Sequence, residues 1–329
     1  MTTALDQINA KILKDLLMDG RKSFVQIGKE CNTSSDVIAK RYKQMKNKGI
    51  IVGATIQNSY DCYNANFVAN IIIKIQRGKL DYVSETIAKL PNVLHVYSRT
   101  ASHNLVAMVI LKNIEQLDQV KRSIKGVRCV REVDARVWIG TRSTPENLSV
   151  LNAQDPCSIT EDKSGKNELN GKKTKSTRVK MDDIDINIVE KLALNGRMPF
   201  ERIAKPLGVS TDTVVRRYEK LKRNRNLKVV LQINPTKIGY YAYALFDLAF
   251  SHETLANPVE YFTGISDINF IIKTSGNFDM TLSLMIKDIH QFTKFQEQIA
   301  NLSDVTRMEV NVQKLFKVWP MKREFISTF

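Results

Sequence analysis

Ser34, Ser35 and Asp36 are followed by Ala39, Lys40, Lys43 and Lys46, and the chain offers the same kind of set again in Ser210, Thr211 and Asp212 followed by Val215, Arg216, Glu219 and Lys220. These are the residues whose types and spacing could do chemistry, and that chemistry is recognition. Short polar side chains at a helix start can approach base edges, while Lys and Arg farther along reach phosphate or guanine. Lys48, Lys222, Arg223 and Arg225 add cations at the two helix ends. A plain solvated basic face, which also offsets the helix dipole, would use the same residue types. Recurrence favours recognition: the set occurs twice, each time capped and preceded by a short helix.

Catalytic constellations are missing from the sequence. His95, His103, His252 and His290 stand apart, with no metal-ligand spacing to one another or to Cys31, Cys62, Cys129 and Cys157. There is no P-loop, no GxGxxG after a strand and no GxSxG. Neither a metal nor a cofactor is implied, and an enzyme is not expected. The charge points elsewhere. Fifty Lys plus Arg against 34 Asp plus Glu leave a net +16 on 329 residues, which calls for a polyanionic partner. No apolar run approaches the ~18 residues of a membrane span. Met1 to Leu13 lacks a signal-peptide core, and the cysteines lack a CxxC, so a reducing cytoplasm is expected.

The elements that must position these residues come in duplicate. Gly20-Arg21 recurs as Gly196-Arg197 and Arg41-Tyr42 as Arg217-Tyr218, at one constant offset of 176. In each copy apolar residues spaced by four (Ile8, Ile12, Leu16; Ile184, Ile188, Leu192) predict a first helix, ending near Gly20 or Gly196 as a C-cap. A short helix and a third helix capped by Ser34 or Ser210 follow, the third burying Ile38, Tyr42 and Met45 or Val214, Tyr218 and Leu221. This is a helix-turn-helix. The order strand, helix, strand, strand, helix, strand comes next, a ferredoxin-like sandwich whose bare sheet face asks for a second sheet.

The fold class is therefore α+β: two copies of a winged-helix-like helix-turn-helix domain, each followed by a βαββαβ domain. The predicted boundaries are 1–57 and 58–142 for the first copy, and 181–233 and 234–329 for the second. Residues 143–180, rich in Lys, Ser, Asn and Asp, read as a flexible linker spanning about 35 Å as a coil. Residues 1–50 and 181–228 carry net charges of +5 and +4, whereas 229–329 carries −1. Both helical segments suit phosphate, and the last sheet segment does not.

"LDQINAKILKDLLMDGR", "SSDVIAKRYKQMKNKGII", "MDDIDINIVEKLALNGR" and "GVSTDTVVRRYEKLK", with Gly276-Asn277-Phe278-Asp279 in the second sheet segment, resemble the Lrp/AsnC family of transcription regulators. The resemblance, which covers all but the linker, implies double-stranded DNA as partner and assembly of several chains. It also implies an amino acid or related effector near Gly276 and Asp279. Copy one departs, with Ala101 and Asn104 at those places and Tyr63 where copy two keeps Gly239. In copy two Arg225 replaces Gly49 at the end of the third helix. Copy two is thus expected to keep any effector site. Siroheme decarboxylases share the architecture, and His103-Asn104 resembles part of their substrate loop; the match is two residues long and copy two lacks it.

Overall fold

In the computed structural model, which describes residues 5–57, 67–99, 105–152, 181–225, 227–251 and 257–320, the same order of elements occurs in each half. The first half runs α1 (Gln7–Met18), α2 (Phe24–Glu30), α3 (Ser35–Asn47), β1 (Ile51–Gln57), β2 (Phe67–Ile75), α4 (Leu80–Ala88), β3 (Val93–Ser98), β4 (Leu105–Leu111), α5 (Ile114–Lys125) and β5 (Val130–Ser143). The second runs α6 (Asp183–Leu194), α7 (Phe200–Leu207), α8 (Thr211–Arg225), β6 (Lys228–Ile233), β7 (Ala242–Phe250), α9 (Pro258–Thr263), β8 (Ile268–Thr274), β9 (Met280–Ile286), α10 (Ile289–Ala300) and β10 (Val305–Lys314). These assemble into two units. One takes Met1–Ser59, Ser149–Ile238 and Phe316–Phe329; the other takes Tyr60–Leu148 and Gly239–Leu315.

The first unit holds both three-helix modules. Asp6 caps α1 by accepting the Asn9 N–H at 2.8 Å, and Asp182 caps α6 through Asp185 at 2.9 Å. Ser34 accepts the Val37 N–H at 3.3 Å to start α3. Ile38 and Met45 of α3 are buried, as are Val214, Tyr218 and Leu221 of α8. In place of a wing inside each module, one ribbon is shared. β1 and β6 pair antiparallel from Ile51 opposite Ile233 to Gln57 opposite Lys228. A single strand per module has no hairpin partner of its own, so its backbone groups pair with the other module's strand.

Each strand of the ribbon also seats on the first helix of the opposite module. Gly20 N–H donates to Val229 O at 2.7 Å, Gly196 N–H to Ala54 O at 2.8 Å, and Thr55 Oγ1 to Ala193 O at 3.0 Å. Ala54, Ile56 and Val229 thereby join the core of Ile188, Leu192, Ile203 and Val214. This corrects the role expected for the glycines. α1 and α6 end on extended Asp19 (φ −137°) and Asn195 (φ −148°), with no left-handed residue. Gly20 and Gly196 are needed for closeness instead: a Cβ on either would lie 2.8 or 2.7 Å from Val229 Cγ1.

The second unit is one hydrogen-bonded sheet in the order β10-β7-β9-β8-β5-β2-β4-β3. Alternation along β2 and β4 sends Ala69, Ile71, Ile73, Ala107 and Val109 towards Val83, Ile87, Leu117 and Ile124 of α4 and α5. Phe246, Leu282 and Leu284 meet Phe262, Phe295 and Ile299 of α9 and α10 in the same way. The halves join where β5 pairs with β8, from Trp138 opposite Thr274 to Ser143 opposite Phe270. Gln313 of β10 donates to Ser98 O of β3 at 3.2 Å, so the two sheet edges approach each other.

The linker begins later than expected. Ser143 closes β5, Thr144 N–H donates to Asn269 O at 3.0 Å, and Asn147 Nδ2 donates to Ile265 O and Ile268 O at 2.9 and 2.7 Å. A 3-10 turn follows at Ser149–Leu151, and the remainder of the expected linker, 153–180, lies outside the described residues. Among the described residues no helix is long and apolar enough to cross a membrane.

Candidate nucleic-acid interface

Both third helices turn their polar residues outward. On α3, Asp36, Lys40, Lys43 and Lys46 are exposed, and Ser35 and Ala39 half-buried; on α8, Thr211, Asp212, Val215, Arg216, Glu219 and Lys220 are exposed. Ser34 and Ser210 are occupied as caps, Ser210 accepting the Thr213 N–H at 3.1 Å. Asp36 and Asp212 sit in the first turns, where the helix dipole favours a carboxylate.

The cations of these helices divide into two kinds. Arg41 is pinned at 2.5 Å to Asp6, the residue that caps α1, and Arg217 to Asp182 and, at 3.2 Å, to Asp185. Burial opposes ionisation of Asp6, but the Asn9 N–H and the Arg41 guanidinium still hold its carboxyl below the usual range. The Asp185 N–H and Arg217 lower Asp182 likewise. Lys222 reaches Asp19 at 3.2 Å. By contrast, Lys40, Lys43, Lys46, Arg216 and Lys220 make no ion pair with another described residue. The pinned arginines fix the helix; the unpaired cations remain available.

Sequence reasoning missed what sets one module against the other. Arg21 Nη1 donates to Gly196 O at 2.7 Å and to Met198 O at 3.1 Å, with its guanidinium 3.9 Å over the Phe200 ring. Arg197 reciprocates, donating to Gly20 O at 2.6 Å and lying 4.8 Å over Phe24. Phe24 leans on Tyr42 at 5.2 Å and Phe200 on Tyr218 at 5.3 Å. Burial pushes the Tyr218 hydroxyl up to about 12. The reciprocal bonds and the antiparallel ribbon relate the modules by a near-twofold axis through the Thr55–Val230 pairing. The signal lay in the repeat itself, since Gly-Arg and Arg-Tyr are its most exact matches.

In the sheet unit, Gly276 (φ +109°) and Asp279 lie in the turn joining β8 to β9. The Asp279 carboxylate accepts the Phe250 N–H at 2.9 Å, and Thr274 Oγ1 donates to Phe278 O at 2.7 Å, so the turn is tied down within itself and to the end of β7. Gly239 also has positive φ (+101°). Tyr63, Ala101, His103, Asn104, His252, Cys62 and Cys157 lie outside the described residues. Among the described residues no three His, Cys, Asp or Glu converge as a metal site.

Comparison with known proteins adds the family. An AsnC-type helix-turn-helix domain matches residues 181–222, and an Lrp/AsnC ligand binding domain matches residues 68–145. An uncharacterized HTH-type transcriptional regulator of Pyrococcus abyssi is 31% identical over 130 residues, which is 40% of this chain and 86% of that protein. The HTH-type transcriptional regulator Ptr1 of Methanocaldococcus jannaschii is 34% identical over 115 residues, 34% of this chain and 76% of Ptr1. Among solved structures, the siroheme decarboxylase NirDL aligns with 95% of this chain and 94% of its own, at a TM-score of 0.61 and 15% identity; the likeness is one of fold. The matched helix-turn-helix, the matched sheet domain and regulators more than 30% identical along most of their length lead to one statement: the chain belongs to the Lrp/AsnC family of HTH-type transcriptional regulators.

Proposed function

We propose that this chain is a cytoplasmic, tandem-duplicated regulator that binds double-stranded DNA with two reading heads, α3 and α8, each laid in a major groove. One observation carries the reading. On both helices the arginine that could compete for phosphate is tied to a first-helix cap, while Lys40, Lys43 and Lys46 or Arg216 and Lys220 stay exposed and without ion pairs among the described residues. Cations left so in both modules would neutralise phosphates and release counterions. An amino-acid effector at the Gly276–Asp279 turn and assembly of several chains through the sheet unit complete the proposal.

Fluorescence anisotropy of a duplex against salt tests it. Steep weakening of affinity with salt is expected, made shallower by Lys40→Ala with Lys43→Ala and equally by Arg216→Ala with Lys220→Ala. The slope should fall by about 0.9 for each phosphate that is no longer neutralised. A flat slope, or one that neither pair changes, refutes the proposal.

A second reading is favoured by the full-length fold likeness to NirDL, a structure also solved with an iron-uroporphyrin III analogue. An absorbance titration with siroheme separates the two. Tight binding together with a flat DNA salt slope would make the chain a tetrapyrrole enzyme instead of a regulator.

A further inference from the structure

The two heads are held as a near-twofold pair, yet they do not carry the same side chains. Asp36 and Asp212 are identical, and Ser35/Thr211 and Lys40/Arg216 keep their chemistry. One turn later the charge reverses: Lys43 in α3 is matched by Glu219 in α8. Both are exposed, and neither side chain makes an ion pair or a hydrogen bond with another described residue. Arg223, four residues on and well placed for an intrahelical pair, donates Nε to the Glu219 backbone oxygen at 3.4 Å and leaves the carboxylate free. A free carboxylate on a basic groove-facing helix repels phosphate. In a groove its favourable base partners are amino donors, best the cytosine amine, because the adenine amine has the N7 acceptor beside it, whereas a lysine there finds the two guanine acceptors.

Resting on the DNA reading above, we propose that the operator is directional. It is an inverted repeat whose halves differ at the base pair facing Lys43 and Glu219, presenting guanine to Lys43 and cytosine to Glu219 at equivalent places. A symmetric pair of heads reads a palindrome and sits on it either way round. This chain cannot do so. The Arg21 and Arg197 clasp and the shared ribbon fix the heads as inverted, and covalent linkage fixes one of each per chain. Turning the chain round on its site sets the carboxylate against guanine acceptors and the ammonium against a cytosine donor, two errors at once. Each is worth roughly five- to a hundredfold in affinity.

Enrichment of duplexes from a randomised pool by the full-length wild type, Glu219→Lys and Lys43→Glu tests the proposal. The wild type should yield two unequal half-sites. Glu219→Lys should turn the cytosine of one half into guanine, and Lys43→Glu the guanine of the other into cytosine. With wild-type protein alone, replacing that cytosine by guanine in the enriched duplex should weaken binding about tenfold or more. A wild-type motif symmetric at this position overturns the inference, as does a Glu219→Lys motif that does not move. Steep salt dependence without any motif also overturns it while leaving DNA binding intact. A flat salt slope with no retained duplex removes both.

Discussion

Arg136 in β5 donates to Asp247 in β7 at 2.7 Å, joining the sheets of the two halves through a buried ion pair. Arg99 reaches the same carboxylate oxygen at 2.5 Å, and Thr281 Oγ1 donates to the other at 2.6 Å. Burial alone would favour the neutral acid, but the two guanidiniums, with Thr281, hold the Asp247 carboxyl below its ordinary range. The arrangement is one-sided: β7 and β10 start 175 residues after β2 and β5, which puts Ile72 and Asn311 at the places of Asp247 and Arg136 in the other half. Pairing two first-half sheets would set Arg136 against Ile72, and two second-half sheets would leave Asp247 facing Asn311. The ion pair therefore selects unlike halves.

Asp247→Asn should be strongly destabilising. It strands two buried guanidiniums, and breaking a buried pair from one side costs about 3–5 kcal/mol. Urea midpoints of the full chain read the change. Asp247→Ile combined with Arg136→Asn, which copies the chemistry of the other diagonal, should recover part of it.

Gly20→Ala and Gly196→Ala should each destabilise the helical unit by about 1–3 kcal/mol, the range for overpacking. The two should suffer comparably, since each added methyl meets Val229 Cγ1 and also backbone that cannot swing aside, Val230 C at 2.9 Å for Gly20 and Thr55 N at 3.0 Å for Gly196. Thermal unfolding of both variants, with Gly140→Ala as a control that meets nothing within 4 Å, decides it.

Removing the clasp separates positioning from direct DNA binding. Arg21→Ala with Arg197→Ala should weaken binding to a two-half-site duplex while leaving the salt slope unchanged, because neither guanidinium is free to meet phosphate. A slope that falls as far as it does for the Lys40 and Lys43 pair would mean that these arginines touch DNA directly.

Acid should loosen the first module through Glu30. Hydrogen bonds from Lys11 and Lys22 lower its carboxyl from 4.5 to about 2. A folded-state pKa below the unfolded one gives stability that is full above the unfolded value and lost as pH falls through the folded one. The Glu30 contribution should therefore fade between pH 4.5 and about 2, and Glu30→Gln should flatten that part of the stability-against-pH curve. An unchanged curve would show that the two lysines do not hold Glu30 in solution.

Much of this molecule could be read from residue spacing. Ile12 and Leu16, Ile188 and Leu192 mark helix faces because burial follows the 3.6-residue period, and Ser34 marks a cap because its oxygen serves a local N–H. Local rules stop there. Ile51–Gln57 and Lys228–Ile233 are too short to name a partner from their own residues, and their partner is each other. Gly20 looked like a helix stop because glycine has two uses, and only the Val229 side chain tells which applies. Arg21 and Arg197 resemble any surface arginine until a carbonyl more than 170 residues away is set beside each. Of the candidate interface, the polar and basic character of the third-helix residues is legible one by one, whereas the inverted relation between the two helices is not.

The exchanged strands also impose an order of events during synthesis. Gly20 cannot meet Val229 until the second module has left the ribosome, and at about 5–20 residues per second that is a wait of roughly 10–40 s. Throughout it the first module has its three helices but no β6 to close its ribbon, so the edge of β1 stays open to any unpaired strand nearby. Neighbouring ribosomes on one message hold identical β1 edges. The chain thus faces competition between its own unfinished half and its neighbours' before β1 and β6 can close one ribbon within a single molecule.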